Sequence, residues 1–184
     1  MGNSLEQTLV YCTSNPSLGF PKGAPTQLIE VQKILSARNI VSDSVTWKDK
    51  TKDRRKILRD LANDHFDCVT AVRCLDEGVD IPSVKIGIFM ASSGNPKQFI
   101  QRRGRVLRNP IGGGKGDVLI FDIFPLPAES KEMYSGLIES QILRCMEFSR
   151  CSKNPQEDLK FVSVINEYNM DRQDLKEQVD EWRK

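Results

Sequence analysis

The stretch that decides the fold is residues 98–108, Gln-Phe-Ile-Gln-Arg-Arg-Gly-Arg-Val-Leu-Arg. On a helix at about 100° per residue, one polar set falls within an arc of roughly 120°: Gln98, Gln101, Arg102, Arg105 and Arg108. The opposite side carries Phe99, Ile100, Val106 and Leu107, with Arg103 among them. Guanidinium groups keep their charge and pair bidentately with phosphate, so the polar face suits a polyanion. Taken alone, the same pattern also fits a solvated charged face above an ordinary core stripe.

Bulk properties restrict the class of protein. The chain has 184 residues, of which 39% are hydrophobic and 28% charged, which allows one core-forming domain with or without an appendage. No apolar run reaches membrane-spanning length, and the N-terminus lacks a signal-peptide pattern. Five cysteines without CxxC spacing argue against a zinc site or a disulfide scaffold and favour reduced thiols in the cytoplasm.

His65 is the only histidine, and it follows a polar pair at a predicted helix end. We expect it to be exposed or to cap that helix. A Ser-His-Asp triad or a multi-histidine metal site is thereby disfavoured, and we expect no metal site.

Positive charge is concentrated in two stretches, although the formal net charge is only +2. Between Lys48 and Lys56, six basic residues stand against Asp49 and Asp53. This first cluster begins a predicted helix and suits either a solubilising face or a nucleic-acid contact. Residues 97–115 hold six basic residues and no acidic one, and they contain the helix described above.

Short β-branched apolar runs alternate with amphipathic segments, which indicates βαβ units and a parallel sheet. The predicted strands are Thr8–Cys12, Ile40–Val45, Asp67–Val72, Lys85–Met90 and Val118–Ile123. The predicted helices between them are Thr26–Ala37, Thr51–Ala62 with Thr51 as N-cap, and the arginine helix opened by Pro96. This pattern predicts a three-layer α/β domain with a mainly parallel sheet over residues 1–128. Residues 129–184 form a predicted helical extension with an apolar stripe of Tyr134, Ile138, Ile142 and Cys145.

A second motif occupies residues 71–82, Ala-Val-Arg-Cys-Leu-Asp-Glu-Gly-Val-Asp-Ile-Pro, between two predicted strands. Loops at the carboxyl ends of parallel strands line the ligand crevice of an open α/β sheet. Gly78 allows close approach of a phosphate, and Asp80 is able to accept hydrogen bonds from ribose hydroxyls. A simple turn before an edge strand is the alternative for this motif taken alone.

In this order and spacing, the two motifs resemble motifs V and VI of superfamily 2 helicases and translocases. The matching patterns are Glu-Gly-x-Asp-x-Pro and Gln-x-x-Gln-Arg-x-Gly-Arg-x-x-Arg, and Val10–Ser14 resembles the weaker motif IV. The resemblance covers about residues 8–124 and implies the second RecA-like domain of such a motor. It is closest to the restriction-enzyme and DNA-repair DEAD/DEAH-type branch, which acts on DNA.

The resemblance implies a role for individual residues. Arg105 and Arg108 become arginine fingers for ATP, which the N-terminal RecA-like domain holds with Mg²⁺, and Gln101 lies near the γ-phosphate. Gly78 and Asp80 face the nucleotide, and Thr13 and Ser14 contact the DNA backbone. Arg102 braces the motif through a carboxylate such as Asp76 or Asp80.

Two departures qualify these implied roles. Val72 stands where the family often has a phosphate-contacting threonine, and Thr70 lies on the same side of the strand but earlier along it. The chain also contains neither a Walker A pattern nor a DExH or DExD strand motif. We therefore expect the C-terminal motor domain of an ATP-dependent DNA helicase or translocase, inactive as an ATPase by itself. The alternative is a stand-alone adaptor that binds nucleic acid or protein with the same fold.

Overall fold

The structure is a computed structural model that describes part of the chain. The described residues are 5–13, 26–72, 83–90, 96–109, 113–114, 116–123, 141–142, 144–145, 148–149, 151–154 and 177, with only the backbone for 96–99. Two compact units divide the chain, Met1–Ile123 and Phe124–Lys184. The sequence-based boundary at 128/129 stays a prediction.

The first unit is a parallel α/β sheet. In chain order its elements are β1 (Thr8–Tyr11), α1 (Gln27–Ala37), β2 (Ser42–Thr46), α2 (Thr51–Ala62), β3 (Cys68–Val72), β4 (Ile86–Phe89), α3 (Pro96–Val106) and β5 (Leu119–Asp122). The strand order is β2-β3-β1-β4-β5, and every neighbouring pair is parallel. The predicted α/β fold is confirmed, with strand bounds that differ by one or two residues, as frayed ends usually do.

Apolar residues on both faces of the sheet produce its three layers. Leu58 and Leu61 of α2 and Val106 of α3 pack on the face that includes Leu9 and Val69. The opposite face meets α1 through Val10, Cys12, Val31, Leu35, Cys68 and Val72. Because β1 and β3 are covered on both faces, their sequences are continuous apolar runs rather than alternating ones. Burying one such leucine or valine stabilises the fold by roughly 1.5–3 kcal/mol.

The turn before α2 corrects one expectation. Lys50, not Thr51, is the N-cap, and its side chain makes no capping hydrogen bond. The reason is that Asp49 closes the turn one residue earlier. Its Oδ2 accepts hydrogen bonds from the backbone N and Oγ1 of Thr46, at 2.6 and 2.8 Å. At the other end of the helix His65 is exposed, as expected, with Nδ1 3.6 Å from Asp60 Oδ1.

The second unit is described at a few positions, and 141–142, 144–145 and 148–149 have helical backbone. Ile142 and Cys145, two members of the predicted apolar stripe, are buried. Tyr134 and Ile138 lie outside the described residues. Among the residues that the structure describes, no helix is long and apolar enough to traverse a bilayer.

Candidate functional site

Helix α3 is fixed to the sheet at Val106. This side chain is fully buried and lies against Gly87 of β4, where an added Cβ would be 3.1 Å from Val106 Cγ1. Such a distance is shorter than ordinary van der Waals contact, so the absence of a side chain at position 87 sets how closely α3 approaches β4. The arginine-bearing helix is thereby held on the same sheet face as α2.

Arg102 occupies the buried side of α3. Its side chain is 8% exposed, and its guanidinium carbon lies 5.8 Å from the centroid of the Tyr11 ring. The Tyr11 ring is itself stacked on Phe89, with centroids 4.8 Å apart and planes inclined by 8°. A guanidinium over an aromatic face is stabilised by the ring quadrupole. The sequence-based placement of Arg102 on the outward polar face is therefore wrong, and its expected carboxylate partners lie outside the described residues.

The outward side of α3 is mixed in character. Gln101 and Arg108 are exposed and Arg105 is partly exposed, as the helical projection predicts. Ile100 and Leu107, expected in the core stripe, are instead 48% and 47% exposed. The helix is rotated so that Arg102, Arg103 and Val106 face inward, which turns the two aliphatic side chains outward. This surface combines an amide, two guanidinium groups and two apolar side chains, as an interface around an anionic ligand would.

Thr13 lies at the carboxyl end of β1 and is tied to α1. Its backbone N–H donates to Gln27 Oε1 at 2.9 Å, and Gln27 Nε2 lies 3.5 Å from the carbonyl oxygen of Met90, which follows β4. Gln27 thus positions the segment that carries the predicted DNA contact. Sequence reasoning missed this residue, and its place at the start of a helix was the only available signal.

Thr70 is buried within the sheet. Its side chain is 0% exposed, and its Oγ1 accepts a hydrogen bond from Gln32 Nε2 at 2.8 Å. Strand alternation places Thr70 on the face that α1 covers, together with Cys68 and Val72. The predicted nucleic-acid contact of Thr70 stays a prediction, and the burial of its hydroxyl counts against it.

The remaining predicted site residues, Ser14, Gly78 and Asp80, lie outside the described residues, as does Asp76. The ends of β1 and β3 nevertheless show at which edge of the sheet the segments that carry these residues begin. The backbone N–H of Cys12 donates to the carbonyl of Ala71 at 2.8 Å, so β1 and β3 end side by side. Thr13 therefore follows β1 at the edge of the sheet where β3 ends at Val72.

Acidic, histidine and thiol groups supply little reactive chemistry in the described part of the first unit. Burial raises the pKa of the Cys12 and Cys68 thiols to about 12, which keeps both protonated and poorly nucleophilic at neutral pH. No group of three or more metal-ligating side chains occurs among the described residues. The outward amide and guanidinium groups next to Val106, those of Gln101, Arg105 and Arg108, are therefore the candidate anion-binding groups of this region.

The fold and this helix define a RecA-like α/β domain, a five-stranded parallel sheet with an arginine-bearing helix after β4. Residues 2–110 match the family model described as "Helicase conserved C-terminal domain", and the chain belongs to this family.

Individual relatives agree with this assignment. The DNA 3'-5' translocase XPB2 of Sulfurisphaera tokodaii is 38% identical over 64 residues, which is 35% of this chain and 15% of that protein. The UvrABC system protein B of Methanococcus maripaludis is 35% identical over 85 residues, or 44% of this chain and 13% of that protein. The chain therefore matches only a small part of the length of these relatives. Among solved structures, the C-terminal part of the Fun30 ATPase domain matches with a TM-score of 0.53 and 17% identity, covering 72% of this chain and 38% of that one.

Proposed function

We propose that this chain is the C-terminal motor domain of an ATP-dependent DNA helicase or translocase. The observation that carries the proposal is the outward face of α3 within a helicase C-terminal domain. Gln101 and Arg105 of α3, and Arg108 two residues beyond its end, are exposed or partly exposed, and Val106 anchors the helix to the sheet. The similarity to a protein named a DNA translocase supports DNA over RNA as the track.

The donors on α3 fit a nucleoside triphosphate. ATP would supply the transferable phosphoryl group, and a partner RecA-like domain would hold it with Mg²⁺. The guanidinium groups of Arg105 and Arg108 would stabilise negative charge on the β- and γ-phosphates, an effect worth about 10³–10⁵ in rate for arginine fingers. Gln101 would lie beside the γ-phosphate. Ile100 and Leu107 would bury their exposed surface against the partner domain, which would account for the apolar side chains on this face.

The carboxyl edge of the sheet would contact both ligands. Gly78 and Asp80 would face the nucleotide from the loop after β3. Thr13 and Ser14 would contact DNA phosphates, which positions the strand without reporting its base sequence. The tie between Thr13 and Gln27 supports this role because it fixes the backbone that carries the contact.

The test joins this chain to an N-terminal RecA-like helicase domain and measures DNA-stimulated ATP hydrolysis. Arg105→Ala and Arg108→Ala should each reduce turnover by about 10³-fold or more while ATP binding is retained. Wild-type turnover in both variants would contradict the finger assignment. A stand-alone adaptor predicts a different result, namely tight and salt-dependent DNA binding by this chain without any ATPase partner.

A further inference from the structure

An ordered aromatic turn joins β2 to α2. Trp47 follows β2 directly, and its side chain is 60% exposed. Asp49 closes the turn on Thr46, as described above. From within α2, Arg54 donates through Nε to the carbonyl of Asp49 at 2.8 Å and through Nη2 to the carbonyl of Trp47 at 3.0 Å. The backbone on both sides of Trp47 is therefore fixed by hydrogen bonds, and the indole is presented to solvent from an ordered position.

Basic side chains surround this indole. Lys48 Nζ lies 5.6 Å from the centroid of the Trp47 ring. Five basic side chains on the turn and the first part of α2 are exposed: Lys48, Lys50, Lys52, Arg55 and Lys56. Of the two acidic residues in this stretch, Asp49 already accepts two hydrogen bonds within the turn. An exposed aromatic ring among cations is the pattern with which proteins bind single-stranded nucleic acid, through base stacking and phosphate contacts.

Strand register places this turn on the same edge as Thr13. Val45 and Tyr11 both pair with Ala71, which makes one row across β2, β3 and β1. Trp47 and Thr13 each follow that row by two residues. Since neighbouring strands are separated by about 4.8 Å, β2 and β1 are about 10 Å apart at that row. The turn thus extends the proposed DNA-contacting edge beyond the residues of motifs IV to VI.

We propose that the Trp47 turn binds single-stranded nucleic acid, with the indole stacked on an unpaired base and Lys48, Lys50 and Lys52 paired with adjacent phosphates. The proposal rests on the proposed function, since it assigns a further contact to the same nucleic-acid track. A solubilising face accounts for the lysines but not for an exposed indole on a backbone that Arg54 ties through its carbonyls. The charge favours a polyanion over an apolar protein surface.

The full chain with Trp182→Phe tests the proposal, because Trp47 is then the only tryptophan. Titration with a fluorescein-labelled oligo(dT) should quench Trp47 fluorescence in parallel with the rise in label anisotropy. Trp47→Ala should weaken binding by about 5- to 100-fold, since one stacked base contributes about 1–3 kcal/mol, and Trp47→Phe should recover most of the loss. Lys48→Gln should reduce the slope of log affinity against log salt by about 0.7, the value for one phosphate contact on a single strand.

Lys33→Gln is the matched control, because Lys33 is an exposed lysine on α1, paired with Glu30. Its salt slope should equal that of the parent. Binding of oligo(dT) without quenching, or with equal affinity for Trp47→Ala, would overturn the assignment of the turn. So would an absence of binding, which is the result expected if a protein partner covers the indole. These failures leave the proposed function standing, because that depends on the ATPase activity of the joined motor and its loss in the Arg105 and Arg108 variants.

Discussion

Two arginine-containing stretches of the first unit each direct one arginine side chain back onto the protein. They differ in the groups that they expose to solvent. In α3, Arg102 turns inward onto the Tyr11 ring. In α2, Arg54 turns back onto the carbonyls of Trp47 and Asp49. Each stretch thus turns one arginine back onto the protein, Arg102 onto an aromatic ring of β1 and Arg54 onto backbone carbonyls of its own turn. Arg102 and Arg54 are therefore positioning residues, and the candidate ligand contacts lie among the more exposed side chains beside them.

The outward groups indicate different kinds of ligand. On α3 they are guanidinium groups, whose planar forks match phosphate oxygens in a fixed geometry. On the Trp47 turn and α2 they are mostly lysines, which act as flexible point charges. A fixed fork suits a single triphosphate at a defined position. Mobile point charges suit a nucleic-acid backbone that moves past the protein.

The largest expected difference between the two surfaces comes from exchanging arginine and lysine. Arg105→Lys in the joined motor keeps the charge but removes the fork, and we expect turnover to fall by at least about 100-fold. Lys48→Arg on the turn should leave oligo(dT) affinity within about threefold, because a phosphate contact needs only a positive charge. ATPase rates and label anisotropy measure the two effects. Equal tolerance at both positions would remove the proposed distinction.

Gly87→Ala should disturb the position of α3 and leave the Trp47 turn unchanged, so it should affect only one of the two surfaces. The new Cβ would lie 3.1 Å from Val106 Cγ1, so α3 must shift or β4 must deform. We expect the free energy of unfolding to fall by about 1–3 kcal/mol, as for other overpacked cores. ATPase activity of the joined motor should fall, and quenching of Trp47 by oligo(dT) should persist.

Gly104→Ala is the control for that loss of stability. An added Cβ at position 104 meets nothing within 4 Å, and the residue is helical. Urea unfolding should show an unchanged or higher stability, by up to about 1 kcal/mol, because alanine is the better helix former. Equal destabilisation by both alanines would show that β4 does not limit the approach of α3.

Arg54→Ala should loosen the Trp47 turn. Two hydrogen bonds to backbone carbonyls are lost, and since Arg54 is partly exposed we expect a stability loss of only about 1 kcal/mol. The fluorescence anisotropy of Trp47 should fall in the free protein, and oligo(dT) affinity should fall with it. Arg55→Ala, in the neighbouring exposed position, should lower the salt slope without changing the anisotropy of the free protein. Unchanged indole mobility in Arg54→Ala would show that the turn is ordered without Arg54.

The smallest expected difference is that between Cys68→Ala and the parent, and it concerns the sheet beneath both surfaces. Burial raises the pKa of the Cys12 and Cys68 thiols to about 12, from an ordinary value of 9.0. The folded state therefore retains two protons that the unfolded chain releases above pH 9, so stability is full below pH 9 and is lost between pH 9 and about 12. From pH 8 to 9.5 each thiol should cost just under about 1 kcal/mol. Urea unfolding at both pH values should show a smaller decrease for Cys68→Ala than for the parent.

The local sequence pattern predicted the helices and strands. It did not predict contacts between residues that are distant in the sequence. The apolar runs of β1 and β3 and the bounds of α2 follow from spacing and composition alone. The rotation of α3 does not, because the ring that Arg102 faces belongs to Tyr11, a residue far away in the sequence. Thr70 is a similar case. Its hydroxyl is bound by Gln32, and helical periodicity cannot indicate that a polar side chain of α1 points into the sheet.

The position of Tyr11 has a genetic consequence. Its ring supports Arg102 of the proposed nucleotide-facing helix, and two residues later the same strand presents the backbone of Thr13. Two residues of extended chain span only about 7 Å. A substitution of Tyr11 should therefore impair ATP hydrolysis and DNA contact together, and no allele at this position should separate the two defects.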